Sequence, residues 1–142
     1  MSTFQIKTHK SGRTYQKPHF FILNKGLNSG KPLTLPCPNC FVVTTSTVDE
    51  KSNLFHLTMM LQIGGFFAYY LKGSVITFIS INDCRNTLKK GIKSSNNICS
   101  EYQKHINAVM IISKKEKELQ NVIEKMAVLK KSYIESFFKN AK

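Results

Sequence analysis

The chain has 142 residues, the size of one domain, and its 42% hydrophobic content excludes wholesale disorder. It carries 21 Lys and Arg against 8 Asp and Glu, a formal net charge of +13, and such a field attracts polyanions such as nucleic acid, acidic protein or anionic membrane. Only Arg13 and Arg85 are arginines, so sequence-specific DNA recognition, which rests largely on arginine at base edges, is not supported.

The N-terminal stretch MSTFQIKTHK lacks the apolar segment of a secretory signal, which points to a cytoplasmic location and reduced thiols. Phe4 to Thr8 alternates apolar and polar residues and predicts an edge-type strand. Lys10-Ser11-Gly12 predicts a turn. His19 to Leu23 is a short apolar run bounded by Pro18 and by Asn24-Lys25-Gly26, and is read as a strand. Leu27 to Asn39 is a loop holding Pro32, Pro36 and Pro38, and a loop of that length is often functional. Cys40 to Thr45 is the next strand. Residues 1–48 hold Lys7, Lys10, Arg13, Lys17, Lys25 and Lys31 and no carboxylate.

The most apolar stretch is Thr47 to Asp83. Thr47 and Glu50 have capping-box spacing and open a mostly buried helix that runs to Leu71. Leu54 to Leu71 is 18 residues, near the ~17–25 of a membrane span, but His56, Thr58 and Gln62 interrupt it, so a buried helix of a soluble domain is preferred. Gly64 and Gly65 read as room for a close neighbour or as a kink. Gly73 ends the helix, and Val75 to Ile81 reads as an inner strand. Asn82 or Asp83 then caps a short helix through Lys90, closed by Gly91.

From Asn96 or Asn97 to Lys142 there is neither Gly nor Pro. Ile98, Tyr102, Ile106, Val109 and Ile112, then Leu119, Val122, Met126, Leu129, Tyr133 and Phe137, recur at helical steps. A helix of about 45 residues would be roughly 67 Å long, against a diameter near 40 Å for a compact domain of this size. It therefore breaks near Ser113–Lys115, or its end projects and pairs with a partner. Ile123, Ile134 and Phe138 widen the apolar face, which slightly favours packing back on the body.

Gly26 to Pro32, GLNSGKP, lacks the spacing and the hydroxyl of a nucleotide-binding P-loop. Its glycines and backbone N–H groups can still cup an anion beside Lys25 and Lys31. Cys37-Pro-Asn-Cys40 has zinc-knuckle spacing, but Cys84 and Cys99 are isolated, and His9 or His19 completes a site only if the sheet brings it near. No acid/base pair or triad is evident, so no catalytic residue and no cofactor is expected.

The run Asn24 to Phe41, NKGLNSGKPLTLPCPNCF, and Gly73 to Ile79, GSVITFI, are similar to a family of small bacterial proteins known only as a domain of unknown function. The resemblance covers about residues 19–90, with Thr77 where a proline is expected. It implies a small cytoplasmic bacterial protein and brings no activity or residue roles.

The expected fold is α+β: a small mixed sheet of three or four strands packed by the Thr47–Lys72 helix, residues 1–95, followed in the same domain by a C-terminal helix or helix pair, 96–142. The leading expectation is a non-enzymatic binding protein that meets a polyanion, nucleic acid among them, through Lys7, Arg13, Lys17, Lys25, Asn28, Ser29, Gly30 and Lys31. The alternative is a structural protein, a homo-oligomer assembled through the C-terminal helices. A third is a small zinc module using Cys37 and Cys40. No membrane partner is expected.

Overall fold

The computed structural model describes residues 3–97 and 99–141. The chain divides into two units, Met1–Ser100 and Glu101–Lys142. Ile98, which begins the expected C-terminal apolar pattern, lies outside the described residues.

The first unit is α+β. Strands β1 (Gln5–Thr8), β2 (His19–Leu23), β3 (Pro32–Leu33) and β4 (Cys40–Thr44) form one sheet in the order β1-β4-β2-β3. The sheet was expected to be mixed, yet all three pairings are antiparallel. No connection between these strands carries the helix on which a parallel crossover usually depends. Pairing matches Lys7 and Phe21 to Val42, and Ile6 and Phe20 to Val43. Strand alternation therefore puts Ile6, Phe20, Ile22, Phe41 and Val43 on one face, and Lys7, Phe21, Cys40 and Val42 on the other. Both faces of β4 are buried, which explains its continuous apolar run. One face is covered by helices. Against the other, Tyr15, Leu33 and Cys37 pack on Phe21, Cys40 and Val42.

Helix α1 (Val48–Ile63) opens on the expected capping box. The Thr47 hydroxyl accepts from the Glu50 N–H at 3.2 Å, and the Glu50 carboxylate accepts from the Thr47 N–H at 3.3 Å. Leu54, Leu57, Thr58 and Leu61 are its buried face, and the Phe55 ring meets Phe20 edge-on at 5.5 Å. The expected run to Leu71 is overturned. Gly65 adopts φ +80°, its N–H bonds the Gln62 carbonyl, and the Phe66 N–H bonds that of Leu61. This is a Schellman stop, which needs glycine because the left-handed region penalises a Cβ.

The expected inner strand Val75–Ile81 is likewise absent. Lys72 and Phe78 exchange both backbone hydrogen bonds around Gly73 at φ +98°, so the segment is a tight loop. Val75 is 93% exposed and Ile76 65%, while Ile79 is buried. The segment's backbone is engaged locally instead. Besides the Lys72–Phe78 exchange, the Ile79 N–H bonds the Asn24 carbonyl and the Thr77 carbonyl accepts from the Gly26 N–H, which ties the loop to the turn after β2 through isolated bridges.

Helix α2 (Ile81–Asn97) starts before the expected caps Asn82 or Asp83 and runs through Gly91. The Ser80 hydroxyl accepts from the Asp83 N–H at 3.2 Å and donates to its carboxylate at 2.8 Å, and so caps the helix. Gly91 does not close a helix. A Cβ there would lie 2.8 Å from Leu61 Cδ1, so the glycine allows α1 and α2 to approach closely.

Helix α3 (Cys99–Asn140) is unbroken. The alternative of a break near Ser113–Lys115 is thus excluded, since no Gly or Pro interrupts the hydrogen-bond ladder. At 42 residues it is roughly 63 Å long. Among the described residues no helix is long and apolar enough to cross a membrane.

Two predictions follow from backbone and charge. Gly12 and Gly30 both hold positive φ, but a Cβ at Gly12 meets nothing, whereas at Gly30 it would overlap the Phe67 ring. Gly12→Ala should cost about 1–2 kcal/mol, and Gly30→Ala about 2–4 kcal/mol because crowding is added, both read from urea unfolding. The Asp83 carboxyl lies below the usual carboxylate range, held there by the Ser80 hydroxyl and then by Lys72 Nζ at 3.3 Å. Its contribution is present above the ordinary carboxylate pKa and lost as pH falls through the lowered one. Asp83→Asn should therefore be less stable than the parent at neutral pH, with the gap closing in acid.

Candidate polyanion interface

β1 pairs only with β4, so its other edge is open. On the sheet face opposite the helices, residues 9–18 lie over β2 and β4 as an aromatic layer. The His9 ring stands T-shaped to Phe21 at 5.1 Å, and His19 likewise at 5.5 Å. Tyr15 lies 5.3 Å from His19, and its hydroxyl hydrogen-bonds His9 Nδ1 at 3.0 Å. Because a carbonyl only accepts, His19 Nδ1–H donates to the Lys17 carbonyl at 2.8 Å. The layer thus anchors Arg13 and Lys17 two residues to either side of Tyr15.

Those two cations share a cleft of about 390 Å³ with Lys7, Tyr15, Gln16 and Val42. A second cleft of about 340 Å³ is lined by Phe4, Gln5, Ile6, Lys7, Arg85 and Lys89. Lys7 belongs to both. Neither cleft is lined by a carboxylate. Both arginines of the chain, 72 positions apart in sequence, therefore come to the β1 edge. The Arg85 guanidinium is steadied by Asn82 Oδ1 at 2.8 Å. Arg85 and Lys89 escaped the sequence analysis; the available signal was their four-residue spacing on the polar side of α2. Lysine on an edge strand also blocks edge-to-edge pairing, but that role does not require arginines from a loop and a helix beside it.

The expected second half of the site does not join this cleft. Lys25, Asn28, Ser29, Gly30 and Lys31 belong to the turn leading into β3, at the opposite edge of the sheet. Much of that turn's backbone is also already engaged. The N–H groups of Gly26, Ser29, Gly30 and Lys31 bond the carbonyls of Thr77, Gly26, Leu23 and Asn28. Ser29 is buried with its hydroxyl donating to the Gly26 carbonyl at 2.6 Å. Those four N–H groups and the Ser29 hydroxyl are therefore already engaged within the protein.

Cys40 is buried and its thiol donates to the Cys37 carbonyl at 3.0 Å. Burial raises the Cys40 pKa, and it pushes the Cys84 thiol up to about 12, so neither is an activated thiolate. Among the described residues no three His, Cys, Asp or Glu side chains stand together to hold a metal ion. The Cys99 side chain lies outside the described residues.

Tyr15 organises the layer, which makes a graded test. Tyr15→Phe keeps the ring and loses one hydrogen bond, for about 1 kcal/mol. Tyr15→Ala uncovers Phe21 and should cost about 2–3 kcal/mol, less than a fully buried aromatic because Tyr15 is only half-buried. Urea unfolding of both variants measures the difference.

Residues 6–136 match the model of a protein family described as a family of unknown function (DUF6943). No curated protein matches the chain, and no solved structure does.

Proposed function

The chain belongs to this family of unknown function, DUF6943, and from its own residues we propose a non-enzymatic binding protein that receives a polyanion, with nucleic acid the chief case, along the β1 edge. The observation that carries the reading is the carboxylate-free pair of clefts in which Lys7 is flanked by Arg13 and Lys17 on one side and by Arg85 and Lys89 on the other. Five cations gathered about one strand, Lys7 on β1, Arg13 and Lys17 from the following loop and Arg85 and Lys89 from α2, suit a phosphate backbone. Tyr15 lines the first cleft beside two of them and supplies a ring on which a base can stack without regard to sequence. Nothing in the arrangement reads base edges, so binding is expected to be strong in charge dependence and weak in sequence preference. The Asn28–Lys31 turn is left out of the interface. A cytoplasmic setting, where such polyanions and reduced thiols coexist, belongs to the same reading, as does a bacterial origin.

The test is retention on heparin, followed by titration with a single-stranded oligonucleotide. The parent should elute well above a neutral control. If all five cations neutralise phosphates, log K should fall with log salt at a slope of about −3.5. The variant Lys7→Ala/Arg13→Ala/Lys17→Ala should lose most of this retention. Lys25→Ala/Lys31→Ala removes nearly as much charge from the opposite edge and should lose little. Elution of the parent with the neutral control, or equal losses in both variants, would reject the β1 edge as the binding surface.

A further inference from the structure

The second unit, Glu101–Lys142, carries a feature that polyanion binding does not use. Thirteen large apolar side chains between Met110 and Phe138 are exposed. Six of them form a regular seam. Ile112, Leu119, Met126 and Tyr133 recur every seven residues, and Val122 and Leu129 fall between them at steps of three and four. This is the a/d pattern of a coiled coil. The helix has no break on which the seam could fold against itself, and water-exposed seams of this kind are covered in stable proteins.

The flanking charges say what covers it. In the same heptad frame Glu118 and Lys125 occupy g positions, and Glu116 and Lys130 occupy e positions. Acidic residues flank the first half of the seam and basic residues the second. Two copies side by side in the same direction would set Lys125 of each against Lys130 of the other, a like-charge contact on both flanks. With the copies reversed, g faces g and e faces e. Centring the pair between Leu119 and Val122 brings Glu118 of each copy to Lys125 of the other. The same register sets Ile112 against Leu129 and Leu119 against Val122. Lys115, the one cation in the seam, then faces Met126. Its stem can pack there while its ammonium reaches outward to Glu118, which it already meets within the helix at 3.3 Å.

We propose that α3 is a self-association element, and that two copies of this chain pair antiparallel along the seam Ile112–Tyr133. The occupant is a second copy because the charge pattern is complementary to its own reverse. A surface of anionic lipid would match the lysines but leave Glu116 and Glu118 facing like charge.

Analytical ultracentrifugation of the full chain over a range of concentrations is the direct test, and a reversible dimer is expected. Leu119→Asn/Leu129→Asn should be monomeric while keeping its helical circular dichroism and its first-unit unfolding transition. The orientation is read from charge exchange. Lys125→Glu should weaken the dimer roughly ten-fold in dissociation constant, since two attractive contacts become repulsive. Glu118→Lys/Lys125→Glu should restore it. If Lys125→Glu instead tightens the dimer, the pairing is parallel and the proposal fails. It also fails if the parent is monomeric throughout, including a monomer that sediments with phosphatidylserine vesicles, or if the seam variant dimerises like the parent.

Discussion

Strand β4 is hydrogen-bonded on both sides, to β1 and to β2, and the first unit is arranged around that constraint. A strand flanked on both edges and buried on both faces must find apolar cover above and below, because its backbone and side chains lie away from water. Helices α1 and α2 provide one cover. The aromatic layer of His9, Tyr15 and His19 stands on the other side, beside Phe21. The second cover is thin, made of a loop rather than a helix, and its polar neighbours therefore reach solvent together. The basic cleft is the outer margin of that loop.

Charge follows the same logic. The first 48 residues contain no carboxylate, so any surface they build lacks internal neutralisation. Placing β1 at the edge brings Lys7 to the margin, and α2 packs near enough to β1 to add Arg85 and Lys89. The Gly/Lys turn, rich in the same residue types, lies at the other edge of the sheet, with several of its donors engaged. Its N–H groups close the turn and tie it to Thr77, and Gly30 fits tightly under Phe67. Lysine and glycine content marks where an anion site is affordable in composition, while free donors decide whether one exists.

The long helix poses the opposite problem. The sheet's apolar residues find cover within the first unit, whereas α3 presents a periodic apolar seam that its own straight geometry cannot close. The two proposals are separable. Polyanion binding rests on the β1 edge, and self-association on the charge order along α3, with no residue in common.

What the chain's own order of residues determined is local. Thr47 and Glu50 specify the start of α1 because the capping box is made within one turn. Pro18 and Asn24-Lys25-Gly26 bound β2 at His19–Leu23 because both interrupt a strand by backbone chemistry alone. Helical spacing and the lack of Gly and Pro past residue 99 likewise mark helix there, although the apolar gap from Ile112 to Leu119 left one helix or two open, and the motifs around Asn24–Phe41 were enough to suggest a family of unknown function. Tertiary structure decided whatever depended on a distant neighbour. Val75–Ile81 has strand composition, but its backbone closes on Lys72 and on the turn after β2. Gly64 and Gly65 mark a helix end rather than a kink, and Gly91, though a plausible stop, serves as a contact point with Leu61. The placement of Arg13 and Arg85 in two clefts that share Lys7 belongs to the same class. Sheet pairing and helix packing set such distances, and residues far apart in the chain carry no local trace of them.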